Sequence, residues 1–140
     1  MSDSVASPAQ IFGADIPFAT LCGVEALGFE NGKTRLRLAL KPEHGNNLGI
    51  AHGGVICTLL DIAMGTAARC TIGVPVMTLD MQTSFIGPGR GVLIGEGRVL
   101  RAGRSILFCE AEVTAEDTGE LIAKASGVFK PARTKGPADG

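Results

Sequence analysis

From residue 34 to 40 the chain reads TRLRLAL, leucines on one face and arginines on the other. Period-two alternation of this kind marks a half-buried antiparallel strand. A milder apolar run, 21–29, precedes it, with Glu30-Asn31-Gly32-Lys33 between the two. An Asn-Gly pair between apolar runs signals a hairpin, because both central residues must tolerate positive φ. After a polar, glycine-containing loop over 42–52 the pattern changes. Residues 55–72, VICTLLDIAMGTAARCTI, are apolar almost throughout. That is too long for a strand, and Ala, Leu and Met favour helix. Apolar character all round predicts a helix buried on most sides.

Beyond Gly73-Val74-Pro75 the period returns to two. Residues 76–85, 92–100, 105–114 and 121–130 read as four strands, broken at 87–91, 102–103 and 117–119. Short connections between them predict an antiparallel meander. The expected order is β-β-α-β-β-β-β, an α+β fold with one central helix and a six-stranded antiparallel sheet around it. One domain is expected over residues 18–130, between a flexible segment at 1–17 and a disordered tail at 131–140.

Composition narrows the function classes. A chain of 140 residues with 45% hydrophobic content can bury a real core. Thirteen basic residues against fourteen acidic ones leave a net charge of −1, which argues against a nucleic-acid partner. Tyr and Trp are absent, so no base-stacking platform is expected. Cys22, Cys57, Cys70 and Cys109 show no zinc or C-x-x-C spacing, and read as reduced core thiols of a cytoplasmic protein. The opening MSDSVASPAQ lacks the basic and apolar regions of a signal peptide. The apolar stretch carries Asp61 and Arg69, each costing roughly 2.5–3.5 kcal/mol near a bilayer centre. A buried helix is therefore expected rather than a membrane span.

The informative segment is NNLGIAHGG, residues 46–54, leading to Asp61. His-Gly-Gly at the mouth of a buried helix leaves backbone N–H groups accessible beside small residues. Helix N-termini carry orphan donors and partial positive charge, which suit a developing oxyanion. Asp61 is the only acidic residue in the apolar helix, and a buried carboxylate needs a partner. Thr58 or Thr66 could supply one in a purely structural role. Gly53 and Asp61 are eight residues apart, about 12 Å along one helix. An oxyanion donor and a base acting on one carbonyl should each lie about 3 Å from the reacting atoms. Two antiparallel helices related by a two-fold axis meet that condition, so the site is expected to be shared within a homodimer.

The string HGGVICTLLD, with Asn46 ahead of it and TLDMQTSF after the helix, resembles the hotdog-fold acyl-CoA thioesterases, closest to the phenylacetate-pathway type. The resemblance covers roughly residues 21–130. It implies hydrolysis of aryl- or medium-chain acyl-CoA, with Gly53 N–H as oxyanion donor and Asp61 as general base or nucleophile. It implies that Asn46 holds the carbonyl or the water, and that Thr78 orients water. Strand alternation sets Thr78 opposite Met77 and Leu79, so its facing stays open. His52 joins the candidate set, although its ring has a plain reading as a helix-start packing group. The acyl group is expected along the helix beside Asp61, among Gly54, Cys57, Thr58, Met64, Gly65 and Ala68. Gly65 has close packing as its alternative explanation. Arg101, Arg104 and Ser105, in the turn after Arg98, are candidates for the CoA phosphates, with Lys130 and Arg133 as possible additions; a solvated charged face is the alternative. No metal or cofactor is implied, CoA being part of the substrate. The resemblance also implies dimers commonly paired into tetramers. A hotdog hydratase or dehydratase, or a non-catalytic acyl-CoA-binding scaffold, are the competing readings.

Overall fold

The computed structural model describes residues 10–132. Helix α2 (Gly53–Ile72) lies across a six-stranded sheet of β3 (Glu25–Glu30), β4 (Lys33–Ala39), β5 (Val76–Phe85), β6 (Val92–Ala102), β7 (Leu107–Ala115) and β8 (Leu121–Pro131). Every pairing is antiparallel, in the order β3-β4-β6-β7-β8-β5. The β3–β4 hairpin turns on Asn31 and Gly32 at φ 56 and 77, as the Asn-Gly signal requires.

The expected meander fails at one place. β5 does not pair with β6; it crosses to the far edge and pairs with β8. The loop 86–91 makes this crossing possible by spending its backbone groups on other elements. Ile86 and Gly87 N–H donate to Ile122 carbonyl, and the carbonyls of Gly89 and Gly91 accept from Ala51 and Leu40. β4 thereby becomes the neighbour of β6.

The amino-terminal segment also differs from expectation. Residues 10–15, within the stretch read as flexible, form a small hairpin of β1 (Gln10–Ile11) and β2 (Ala14–Asp15), and Ile11 is wholly buried. Pro17 then opens a short helix α1 (Pro17–Cys22), so the apolar run from Leu21 begins in a helix rather than a strand. Pro fits a first helical position, where its missing N–H has no partner to lose. The expected tail lies outside the described residues apart from its first two, and Arg133 lies outside them too.

The core is α2 against the sheet, with Leu59, Leu60, Ala63 and Met64 packed on Leu36, Leu38, Leu93, Val113 and Phe129. Half of the apolar α2 window is buried in this way, although the helix is long and apolar enough to cross a membrane. The cysteines are less uniformly core than expected. Cys109 is buried, its thiol pushed up to about 11 by desolvation, while Cys22, Cys57 and Cys70 are half-buried.

Contact between α2 and the sheet is closest at two glycines of β6. A Cβ at Gly97 would stand 2.2 Å from Ala63 carbonyl oxygen, and one at Gly95 would stand 2.9 Å from Leu59. Thr34, buried on β4, donates its hydroxyl to the same Ala63 carbonyl at 2.8 Å. Gly65 is different: its Cβ would meet Phe129 at 3.4 Å and Val76 at 4.0 Å, both ordinary contacts. Close packing therefore does not explain Gly65.

Two opposite stability changes are expected. Gly97→Ala should destabilise the fold by about 3 kcal/mol or more, because backbone cannot yield to the added methyl as a side chain can. Gly65→Ala should stabilise it by up to about 1 kcal/mol through helix propensity. Denaturant midpoints of the two variants check both signs.

Candidate active site

The start of α2 is capped by its own sequence. His52 adopts an extended N-cap conformation, and its Nδ1 accepts from Gly54 N–H at 2.7 Å. An acceptor at Nδ1 leaves the neutral ring's proton on Nε2. Val55 and Ile56 N–H both donate to His52 carbonyl. Gly53 N–H, the first of the helix, has no acceptor among the described residues. The Phe85 ring stands against it, 3.3 Å from where a Cβ would be.

Asn46 shapes the loop leading into this turn. Its Oδ1 accepts from Leu48 N–H at 2.9 Å and from Ile50 N–H at 3.3 Å. With the oxygen so engaged, the amide NH2 is the group left to meet a ligand. His44 is structural: Nδ1 accepts from Lys41 N–H, and Nε2 bonds Cys22 carbonyl at 2.7 Å.

Two turns further along α2, Asp61 is half-exposed, and the Thr78 hydroxyl donates to its Oδ1 at 2.7 Å. The hydroxyl partner of Asp61 is thus neither Thr58 nor Thr66, since Thr58 donates to Gly54 carbonyl and Thr66 to Ile62 carbonyl. Thr78 reaches the helix because of a β-bulge. The β5–β8 register shifts between Thr78 and Asp80, with Leu79 as the extra residue. One inserted residue exchanges the two faces of a strand. Val76 and Thr78 face α2 before the bulge, and Met81, Thr83 and Phe85 face it afterwards.

Asp61 separates two open cavities. The larger, about 450 Å³, runs past Gly65, Thr66 and Arg69, with Val76, Thr78 and Phe129 opposite. The smaller, about 360 Å³, is lined by Cys57, Thr58 and Met81, with Ile16 and Phe18 across from them. Cys57, Thr58 and Gly65 thus adjoin Asp61 as expected. Met64 and Ala68 do not: both are wholly buried, packed toward the sheet. Residues at i+3 and i+7 from Asp61 fall on the sheet side, while i+4 stays on the open side. Gly54 is at the helix mouth rather than beside Asp61.

The arginine turn is separate from both cavities. Arg101, near the end of β6, and Arg104 and Ser105, in the turn before β7, are exposed, and Arg98 is ion-paired with Glu110. Sequence reasoning missed Ile16, Phe18, Met81, Val76 and Phe129 as walls of the site. The bulge that turns Met81 inward has no signal in the strand's alternation. Ile16 and Phe18 precede the stretch in which the resemblance was found.

Three comparisons place this geometry among known proteins. Residues 48–122 match the model of the Thioesterase superfamily. Acyl-coenzyme A thioesterase 13 of Homo sapiens is 33% identical over 66% of this chain and 69% of its own. A Bacillus halodurans protein solved with CoA superposes with a TM-score of 0.76 at 30% identity, over 84% of this chain and 80% of that one. The Escherichia coli PaaI protein from the phenylacetic acid degradation operon shares the fold, with a TM-score of 0.80 at 17% identity over 86% and 88% of the two chains. A helix across a six-stranded antiparallel sheet, with the matched segment running from the Asn46 loop through α2 to β8, makes this chain a hotdog-fold member of the thioesterase superfamily.

Proposed function

We propose that the chain hydrolyses acyl-CoA thioesters of aryl or medium-chain acids, with Asp61 as the acting carboxylate. The observation that carries this reading is the Asp61–Thr78 pair opening onto two cavities, on the helix whose first N–H has no acceptor among the described residues. A carboxylate so placed takes a proton from water as water attacks the carbonyl carbon, or attacks that carbon itself. Thr78 fixes its orientation through the 2.7 Å bond. Gly53 N–H stabilises the oxyanion, and CoA thiolate leaves as the tetrahedral intermediate collapses. The Asn46 NH2 supports the carbonyl or the water. His52 serves through its capping bond rather than as an acid or base. Arg101, Arg104 and Ser105 offer exposed donors for the CoA phosphates.

Gly53 and Asp61 stand about 12 Å apart along one helix, so a complete site needs a second copy. β5 supports that requirement. It is a sheet edge, and Met77, Leu79, Phe85 and Ile86 on or beside it are all about half exposed. A long apolar edge strand is a template for pairing. Antiparallel pairing of two β5 strands about a two-fold axis brings Gly53 of one copy toward Asp61 of the other, and two such dimers pair as a dimer of dimers. The hydratase alternative needs a histidine paired with a carboxylate; among the described residues His44 bonds Lys41 N–H and Cys22 carbonyl, and His52 bonds Gly54 N–H.

Asp61→Asn should lower kcat at least about a hundredfold in a thiol-release assay, with the far-UV spectrum unchanged. Near-parental turnover by the pure variant would remove Asp61 from the mechanism. Asn46→Ala should lower turnover less. Mixing Asp61→Asn with Gly53→Pro, which removes the N–H at a position where helices accept proline, should restore activity. Unbiased reassembly gives about half heterodimers, each with one intact site of two. Heterodimers confirmed by mass yet inactive would place both groups in one chain.

A further inference from the structure

The family match begins at residue 48, yet part of the wall beside Asp61 comes from well before it. Ala14, Asp15 and Ile16 line the larger cavity, and Ile16 with Phe18 lines the smaller one. The hairpin that carries this wall is fixed at two points. Ile11 is wholly buried, and Arg69 Nη1 donates to Phe12 carbonyl at 2.9 Å.

Asp61, Gly65 and Arg69 recur at i, i+4 and i+8, which sets them in a row on one face of α2. All three line the larger cavity. The row therefore reads as carboxylate, a stretch with no side chain, and then a guanidinium tied to the hairpin. Eight residues advance about 12 Å. Helical side chains lean toward the N-terminus, so Arg69 overhangs the last part of that stretch. Subtracting a van der Waals contact leaves about 8 Å for an acyl group lying along the helix. A zigzag chain of about 1.5 Å bonds advances about 1.25 Å per carbon.

We propose that Arg69, latched to Phe12, is the end stop of the acyl pocket and limits the acyl group to about six to eight carbons, or one substituted benzene ring. The inference rests on the thioesterase reading and adds a specificity-determining residue and a length limit to it. Arg69 touches neither the thioester nor CoA, so it acts on which acyl group fits. Ala14, across the cavity on β2, is the second determinant of its length.

The test is the ratio of kcat/KM across straight-chain acyl-CoA substrates from C4 to C16. Parental enzyme should fall at least about tenfold between C8 and C12, within the 10–200-fold range that a pocket exerts per poorly fitting methylene. Arg69→Ala should raise the C12:C4 ratio at least about tenfold and move the optimum out by about two carbons or more. Ala14→Leu should do the opposite, lowering the C8:C4 ratio. If Arg69 serves only to clamp the hairpin, Arg69→Ala changes all lengths by one factor, and the end stop is disproved. Binding of non-hydrolysable S-alkyl-CoA thioethers, followed by calorimetry over the same lengths, repeats the measurement without turnover. A chain that binds them with the stated length limit but hydrolyses nothing supports the end stop while removing the catalytic reading. Affinity that rises steadily to C16, or no binding at any length, overturns the end stop.

Discussion

The depth at which α2 sits on the sheet governs everything else in this molecule. That depth is set by contact of backbone with backbone. Gly95 and Gly97 leave β6 bare beneath the helix, and Ala63 carbonyl fills the space a side chain at 97 would need. Thr34 then donates to that carbonyl, in addition to whatever the helix itself supplies. Ala63 is two residues beyond Asp61, so the contact also fixes the height and rotation of the carboxylate. With Leu59, Ala63 and Met64 facing the sheet, Asp61 and Gly65 turn to the flank beside β5. A helix lifted by the width of a methyl would carry Asp61 away from Thr78, whose 2.7 Å bond leaves no slack.

The flank that receives them is the unfinished edge of the sheet. β5 pairs on one side only, and its bulge at Leu79 lets one strand serve two duties. Before the bulge it supplies Thr78 to Asp61; after it, Phe85 reaches the helix start at Gly53. An unbroken ten-residue strand would present only one of those two residues to α2, because facing alternates with every residue. The bulge thus lets a single edge strand meet both Asp61 and the start of α2. It does so on a strand that forms one edge of the sheet.

Much of this was legible because local rules were obeyed. Asn31-Gly32 makes the turn its dihedral demands require, TRLRLAL becomes β4, and the long apolar stretch becomes α2. His-Gly-Gly followed by a lone aspartate marked the helix mouth and the carboxylate. What stayed hidden was set by tertiary structure. A six-residue loop rich in Gly and Pro suggests a reversal, but nothing local in it says that the next strand will lie three places away across the sheet. Nor could a helix apolar on all sides reveal that Met64 and Ala68 face inward while Gly65 faces out. Residues 10–18 hold Ile11, Phe12, Ala14, Ile16 and Phe18, but Gly13 and Pro17 interrupt the run, so the burial of Ile11 and the use of Ile16 as a wall emerge only once α2 is in place.

The start of α2 shows how a cap can be arranged to spare one donor. A helix leaves its first four N–H groups without intrahelical partners, and ordinary capping satisfies what it can reach. Here His52 N–H donates to His44 carbonyl, the His52 ring takes Gly54 N–H, and the His52 carbonyl takes Val55 N–H. Among the described residues only Gly53 N–H is left without an acceptor, at the positive end of the helix dipole. Glycine at that position lets the Phe85 ring lie against it, an apolar neighbour on one side. A donor with less competing solvent interacts more strongly with a developing negative charge. The imidazole at 52 therefore needs no proton-transfer role to matter: by occupying Gly54 it directs the remaining polarity of the helix onto a single N–H.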